Sequence, residues 1–195
     1  YMRAGLLDRA EALFSDLVAM DAHAPSALRH LIAIYQHERD WHKAIEHARR
    51  LEVMTGEDEA PVIAQFYCEL AERARQHGAR AEARDYLRQA FECQPDCVRA
   101  FMLTGRLHAE DGQHADAVGS FEAAIKADSA FTPDILPPLL NSYARSQQME
   151  RAEAFLGDML GRYHGVSPIL ALAQIYRQLD GERAAIDFLT SQLRQ

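Results

Sequence analysis

The residues best suited to chemistry in this 195-residue chain are its nine histidines and three cysteines. His37 and His42 come closest to a known metal motif, because helical zinc proteases place two histidines four residues apart on one helix face. Here the two histidines are five residues apart, and a turn is predicted between them. The spacing therefore favours surface histidines over metal ligands.

The cysteines offer no clearer chemistry. Cys93 and Cys97 are spaced too widely for a zinc knuckle and no second pair accompanies them, so we interpret them as small buried side chains. With Cys68, they are too few for a disulfide framework, which indicates a reducing compartment. The chain also has no Gly-rich phosphate loop, no Gly-x-Ser-x-Gly motif and no isolated carboxylate pair in an apolar context. We predict no catalytic residue, no cofactor and no metal, which leaves an enzyme as the least favoured function.

The elements that carry these residues follow an internal repeat. Alanine recurs at steps of 34, 39, 34, 35 and 33 residues, at Ala10, Ala44, Ala83, Ala117, Ala152 and Ala185. An apolar or small residue follows each of them four positions later. The period and pattern resemble the tetratricopeptide repeat, a helix-turn-helix unit with small residues where two helices approach closely.

Superposing the repeats, with each alanine at position 20, tests this register. Position 11 is mostly aromatic, as at Tyr1, Tyr35, Tyr143 and Tyr176. The predicted turn at position 15 falls at Gly5, Arg39, Gly78, Gly112, Gln147 and Asp180. We therefore predict an all-α fold, a right-handed superhelical solenoid of about six repeats and about twelve helices, with the first repeat truncated.

A single domain over residues 1–195 is expected. Its repeats are predicted at about 1–24, 25–58, 64–97, 98–132, 133–165 and 166–195. The acidic stretch from Met54 to Pro61 accounts for the 39-residue step and is interpreted as a longer loop. Because Tyr1 falls in the middle of a predicted helix and Gln195 near the last turn of another, both ends are expected to be cut from a longer array.

The charge balance bears on the kind of partner. Lys and Arg number 21 against 29 Asp and Glu, and the net charge of -8 disfavours binding to nucleic acid. No run approaches the 18 apolar residues of a membrane span. A protein partner is therefore expected.

In tetratricopeptide arrays the first helix of each repeat lines a concave groove, chiefly through positions 2, 5, 9 and 12. The corresponding residues here are Arg29, Gln36, Gln65, Glu72, Arg75, Arg99, Arg106, Asn141, Gln174 and Arg177. The set holds five arginines and one glutamate, so we predict a groove that pairs with carboxylates of a partner. The alternative is that solvated helices simply carry these charges.

Three motifs narrow the resemblance. They are Tyr1-Met2-x-Ala4-Gly5-Leu6-x-Asp8-Arg9-Ala10-Glu11, Ile34-Tyr35-Gln36 followed by Trp41-x-Lys43-Ala44-Ile45, and Phe66-Tyr67-Cys68-Glu69-Leu70-Ala71. Together they resemble the lipopolysaccharide assembly protein B family of Gram-negative bacteria, most closely over the first three repeats. Weaker matches continue in the fourth and sixth repeats.

This resemblance implies a function. Members of the family join an N-terminal membrane anchor, a cytoplasmic repeat array and a C-terminal rubredoxin-like zinc module. They act as adaptors that bring the deacetylase of the lipid A pathway under the control of a membrane-bound ATP-dependent zinc protease. The resemblance implies those two proteins and the zinc module as partners, and the cytoplasmic face of the inner membrane as the location.

Neither an anchor nor a Cys-x-x-Cys pair occurs in this chain, so metal binding is not carried over. The repeats alone equally permit another scaffold, such as a chaperone-linked or secretion-linked assembly factor.

Overall fold

The fold was analysed in a computed structural model that describes residues 7–19, 24–162 and 166–193. These residues form helices and turns, and no strand occurs among them. The helices are α1 (Leu7–Ala19), α2 (Ala24–Glu38), α3 (Trp41–Thr55), α4 (Ala60–Gln76), α5 (Arg80–Cys93), α6 (Val98–Glu110), α7 (His114–Ala127), α8 (Thr132–Arg145), α9 (Met149–Arg162), α10 (Val166–Leu179) and α11 (Glu182–Gln192), with a short 3₁₀ turn at Ser129–Phe131. The all-α prediction is confirmed. The predicted start of the first repeat, including Tyr1 and Gly5, lies outside the described residues.

The chain divides into two compact units, Tyr1–Ala100 and Phe101–Gln195. In the first unit each helix packs on the next one along the chain, from α1 through α5. In the second unit α7 packs on α8, α9 on α10 and α10 on α11. The helices α8 and α10, which are the first helices of the fifth and sixth predicted repeats, also contact each other.

Small residues hold the paired helices close together. The alanines at position 20 in the four middle repeats, Ala44, Ala83, Ala117 and Ala152, have no exposed surface. Gly105 on α6 lies still closer to its neighbour, since a Cβ added there would be 2.7 Å from the ring of Phe121 on α7. The backbone of α6 therefore packs directly against an aromatic ring that is itself 1% exposed.

The turns inside the repeats share one backbone conformation. Position 15 has a positive φ at Gly78 (75°) and Gly112 (77°), and also at Arg39 (59°) and Gln147 (58°). The residue after it donates its N–H to the carbonyl five positions back, as from Gln148 to Tyr143 at 2.9 Å. Left-handed backbone favours glycine, so the two other residues occupy a less favourable conformation.

In the last repeat the predicted turn at Asp180 is confirmed, since this residue lies between α10 and α11. The positive φ of 91° occurs one residue later, at Gly181. Glycine tolerates a positive φ because it has no Cβ to clash with the neighbouring backbone.

The predicted eight-residue loop between the second and third repeats is wrong. Only residues 56–59 separate α3 from α4, and the extra length lies in α4, which begins at Ala60. Pro61 suits the first turn of a helix because its φ is already fixed, and Asp58 accepts a hydrogen bond from the Ala60 N–H at 3.0 Å. The third repeat thus gains a helical turn rather than a loop.

A glycine-to-alanine pair tests the close approach of α6 and α7. Gly119 on α7 is exposed and has nothing within 4 Å of an added Cβ, so Gly119→Ala should raise the free energy of unfolding by about 0.5–1 kcal/mol through helix propensity. Gly105→Ala carries the same propensity gain but drives a methyl group into the Phe121 ring. We expect urea denaturation to place it about 1–3 kcal/mol below Gly119→Ala. Equal stabilities of the two variants would contradict this packing.

A second pair of substitutions tests the turns. Arg39→Gly and Gln147→Gly should each raise the free energy of unfolding by about 0.5–1 kcal/mol, because they relieve the left-handed strain at a partly offsetting entropic cost. Gly78→Ala and Gly112→Ala, at the same repeat position, should lower it. Differential scanning calorimetry measures all four. A loss of stability in both Arg39→Gly and Gln147→Gly would show that the left-handed backbone at these positions is not strained.

Candidate functional site

The predicted groove residues of the first unit begin on α2. Arg29 and Gln36 lie two turns apart on this helix and both are exposed. The Arg29 guanidinium donates to the carboxylate of Glu57 in the short loop before α4. The acidic loop therefore supplies a counter-charge to the first arginine of the predicted groove.

On α4, Glu72 and Arg75 bind each other. The guanidinium donates through Nε to Glu72 Oε2 at 2.8 Å and through a second nitrogen to Oε1 at 2.7 Å, which is a bidentate ion pair. Both side chains are only 20% exposed. The pair stiffens one face of α4 and neutralises the arginine.

Arg99, in the first turn of α6, forms an ion pair that crosses to another helix. Its guanidinium lies 2.7 Å from Oε1 of Glu69 on α4. Glu69 and Glu57 were not among the predicted groove residues, yet each neutralises one of its arginines. The positive excess that the sequence predicts is thus reduced in this unit, although the residues named for the groove stay a prediction.

Next to this pair, Gln65 contacts a pair of thiols. Its amide nitrogen lies 3.8 Å from the sulfur of Cys97, which in turn lies 3.9 Å from the sulfur of Cys68. Cys97 is buried, as predicted for a small core side chain, whereas Cys93, for which the same was predicted, is half-buried. Cys68 is buried as well. The contact between Cys68 and Cys97 was not predicted from the sequence. The repeat register could have indicated it, because Cys68 is at position 5 of one repeat and Cys97 directly precedes the first helix of the next.

In the second unit the structure brings two predicted residues into one cleft. Asn141 on α8 and Gln174 on α10 both line a cleft of about 540 Å³ between these helices. Gln174 and Arg177 also line a smaller cleft of about 330 Å³ between α10 and α11. Arg106 is exposed on α6 and lines neither cleft.

The larger cleft has an apolar floor and a polar rim. Leu136 and Ile175 are buried beneath it, and Leu170, which is 58% exposed, stands at its edge. Asn141 and Gln174 are exposed beside this apolar surface, and each carries a carboxamide that can donate and accept hydrogen bonds. The cleft can therefore hold an apolar side chain while its two amides bind polar groups beside it.

Two prolines inside α8 change the wall of this cleft. Pro137 and Pro138 have no N–H, so the carbonyls of Pro133 and Asp134 cannot receive the usual bond from four residues ahead. Pro133 and Pro137 both line the cleft. The first turns of α8 therefore contain two carbonyls that lack the usual partner four residues ahead.

A buried polar network fixes the helices behind the cleft. The Tyr143 hydroxyl on α8 donates to Glu122 of α7 at 2.6 Å, and the Arg151 guanidinium of α9 lies 2.9 and 3.0 Å from the same carboxylate. Burial and the neighbouring carboxylate raise the pKa of Tyr143 well above its usual value. An aromatic residue at repeat position 11, such as Tyr143, is typical of core packing. The ring is indeed fully buried, but its hydroxyl also binds Glu122.

The candidate metal motif is divided between two helices. His37 lies near the end of α2 and His42 in α3, with the left-handed turn at Arg39 between them. Within residues 7–19, 24–162 and 166–193, no three His, Cys, Asp or Glu side chains are placed to hold a metal ion. Over the same ranges, no helix combines the length and apolar character needed to cross a membrane.

Comparisons with known proteins agree with this architecture. A family profile of the tetratricopeptide repeat matches residues 68–130. Lipopolysaccharide assembly protein B of Haemophilus influenzae is 34% identical over 193 residues, which is 99% of this chain and 48% of the relative. The protein of that name from Escherichia coli (strain K12) is 33% identical over 196 residues, covering all of this chain and 50% of the relative. The chain thus spans about half the length of these curated relatives.

Solved structures share the fold at low sequence identity. BtubC from P. vanneervenii has a TM-score of 0.51 at 13% identity, over 96% of this chain and 87% of that one. PilF of Pseudomonas aeruginosa has a TM-score of 0.50 at 15% identity, over 100% and 86% of the two chains. The helix pairs, the repeat profile and the full-length sequence match lead to one conclusion. The chain has a tetratricopeptide-repeat fold and is, along its whole length, homologous to about half of lipopolysaccharide assembly protein B.

Proposed function

We propose that this chain is a non-enzymatic adaptor that binds segments of other proteins through the first helices of its repeats. The cleft between α8 and α10 carries the proposal, because it combines an apolar floor with two exposed carboxamides. An extended protein segment presents the complementary groups, an apolar side chain flanked by backbone N–H and C=O. Asn141 and Gln174 are suited to bind that backbone, and the floor at Leu136 to receive the side chain.

The finer proposal concerns the partners. Because the curated relatives are lipopolysaccharide assembly proteins, we infer that the segment bound belongs to the control of lipopolysaccharide synthesis. The candidates are the deacetylase of the lipid A pathway, the membrane-bound ATP-dependent zinc protease and a rubredoxin-like zinc module of the adaptor itself. The adaptor would join the deacetylase to the protease at the cytoplasmic face of the inner membrane. The repeat array would need no metal or cofactor of its own for this role.

A pair of substitutions on α10 tests the cleft. Leu170→Glu places a carboxylate at the edge of the apolar floor and should weaken binding of the partner at least about 10-fold, because that carboxylate loses water when the segment docks. Val166→Glu is the matched control. Val166 is 67% exposed one turn earlier on the same helix and does not line the cleft, so its variant should bind as the unmodified chain does. Isothermal titration calorimetry with the purified deacetylase, the protease's soluble domain and the zinc module measures each affinity.

Equal affinities of the two variants for every partner would exclude the cleft as the binding surface. Tight binding by the unmodified chain to none of the three would reject the finer proposal. The function would then move to another tetratricopeptide scaffold.

A charge exchange in the first unit tests the arginines of the predicted groove. Arg99→Glu alone places two carboxylates together on α4 and α6 and should lower the free energy of unfolding by about 1 kcal/mol. Adding Glu69→Arg restores an ion pair of reversed polarity, so stability should recover to within about 0.5 kcal/mol of the unmodified chain. If Arg99 binds partner carboxylates, the doubly exchanged chain should still lose affinity, because the charge that faces the partner has moved.

Urea denaturation and the same calorimetric titration measure the two effects separately. Restored stability together with unchanged affinity for all three partners would show that Arg99 serves only the ion pair with Glu69.

A further inference from the structure

The first unit holds two thiols in contact. Cys68 and Cys97 are separated by 29 residues in the chain, and their sulfur atoms lie 3.9 Å apart. Cys68 sits in the middle of α4 and is 0% exposed, whereas Cys97 ends the loop before α6 and is 1% exposed. Neither thiol takes part in the binding cleft of the second unit, so their contact needs a separate account.

The surroundings of Cys97 favour its thiolate. The thiol of Cys68, 3.9 Å away, and the backbone N–H groups of Ala100 and Arg99 at the start of α6 are placed to donate hydrogen bonds to the sulfur of Cys97. The Gln65 amide nitrogen adds a fourth donor at 3.8 Å. The contact with Cys68 and the two backbone N–H groups outweigh the opposing effect of burial and lower the pKa of Cys97, which favours its thiolate. The contact with Cys97 and, after it, burial raise the pKa of Cys68.

We propose that Cys68 and Cys97 form a redox-active dithiol, which a hydroperoxide oxidises to a disulfide between α4 and the loop before α6. The Cys97 thiolate attacks one peroxide oxygen, the O–O bond breaks, and the leaving hydroxide takes the proton of the Cys68 thiol to leave as water. Cys97 is then a sulfenic acid. The Cys68 thiolate attacks its sulfur, the S–S bond forms, the S–O bond breaks, and the hydroxide leaves as a second water after protonation from solvent. Two thiols lose two electrons and one hydrogen peroxide becomes two waters.

The geometry permits the second step. A disulfide requires the sulfur atoms to approach to about 2.05 Å, which is roughly 2 Å closer than they lie in the reduced chain. Cys68 is fixed inside α4, but Cys97 follows the exposed residues Pro95 and Asp96 in a short loop. Local opening of such a loop costs less than global unfolding, and it would admit a molecule as small as hydrogen peroxide.

Oxidation would also change the surface beside the thiols. A disulfide sulfur is a poor acceptor compared with a thiolate, so the hydrogen bonds from Gln65 and from the first turn of α6 would weaken. Gln65 and Arg99 are two of the residues predicted to line the groove. The dithiol would thus couple oxidation to the shape of a candidate binding surface, independently of whether the proposed partners bind there.

Peptide mapping tests the proposal. The reduced chain is exposed to hydrogen peroxide at neutral pH, remaining thiols are alkylated, and peptides are identified by mass spectrometry with and without a reductant. We expect a Cys68–Cys97 disulfide that dithiothreitol reverses. Cys93 should stay reduced and therefore be found alkylated, because burial raises the pKa of its thiol and keeps it protonated. The rate should rise with pH and level off at a lower pH than for an ordinary cysteine, as expected for a thiol whose pKa is lowered.

Three single variants separate the roles. Cys68→Ser should trap Cys97 as a sulfenic acid that dimedone labels, Cys97→Ser should abolish both species, and the control Cys93→Ser should form the disulfide at an unchanged rate. The proposal would be overturned if the Cys68–Cys97 pair stayed reduced, or if Cys93 were oxidised before the pair. Circular dichroism of each variant verifies that a loss of reaction does not reflect unfolding.

Discussion

Close approach of paired helices is the constraint on which the rest of this structure depends. The helices of a repeat can bury their apolar faces only if small residues stand where their backbones come nearest. Ala83 and Ala117 fill this role with no exposed surface, and Gly105 brings α6 against the Phe121 ring. The close contact with α7 positions α6, so the placement of candidate binding residues on that helix follows from the packing of residues that bind nothing.

Hydrogen bonds and ion pairs join the helices that the small residues allow to pack closely. Glu122 is buried, yet it binds both Tyr143 and Arg151, which join it to the next two helices. A buried carboxylate is tolerated because its oxygens receive several donors. In the first unit, Glu69 performs a related task for Arg99 on a more exposed surface. These pairs consume arginines that would otherwise be available to a partner, which moves the most suitable binding surface toward carboxamides and apolar groups.

The two candidate sites both result from the stacking of neighbouring repeats. Stacking places first helices side by side, and in the second unit this opens an apolar cleft between α8 and α10 that Asn141 and Gln174 border. In the first unit it brings Cys68 of one first helix to the residue that precedes the next, Cys97. The cleft offers reversible binding, whereas the thiols offer covalent chemistry, and both arise from neighbouring repeats rather than from residues adjacent in sequence.

The sequence by itself determined the helical repeat, the small residues that close it and the position of its turns. These features are periodic and local, so alanine spacing indicates them directly, and the resemblance to lipopolysaccharide assembly protein B is confirmed over the full chain. Even the left-handed turn at Arg39 was placed by register, although no glycine marks it.

Only the tertiary structure decided what each side chain meets. In the last repeat the positive φ falls at Gly181, one residue after position 15, because glycine tolerates it. Part of the expected loop before α4 is helical instead, because Asp58 and Pro61 favour an earlier helix start. The carboxylate that neutralises Arg99 and the sulfur beside Cys97 come from α4, about one repeat earlier. Such contacts depend on angles and distances between helices, which a one-dimensional pattern of residue types does not contain.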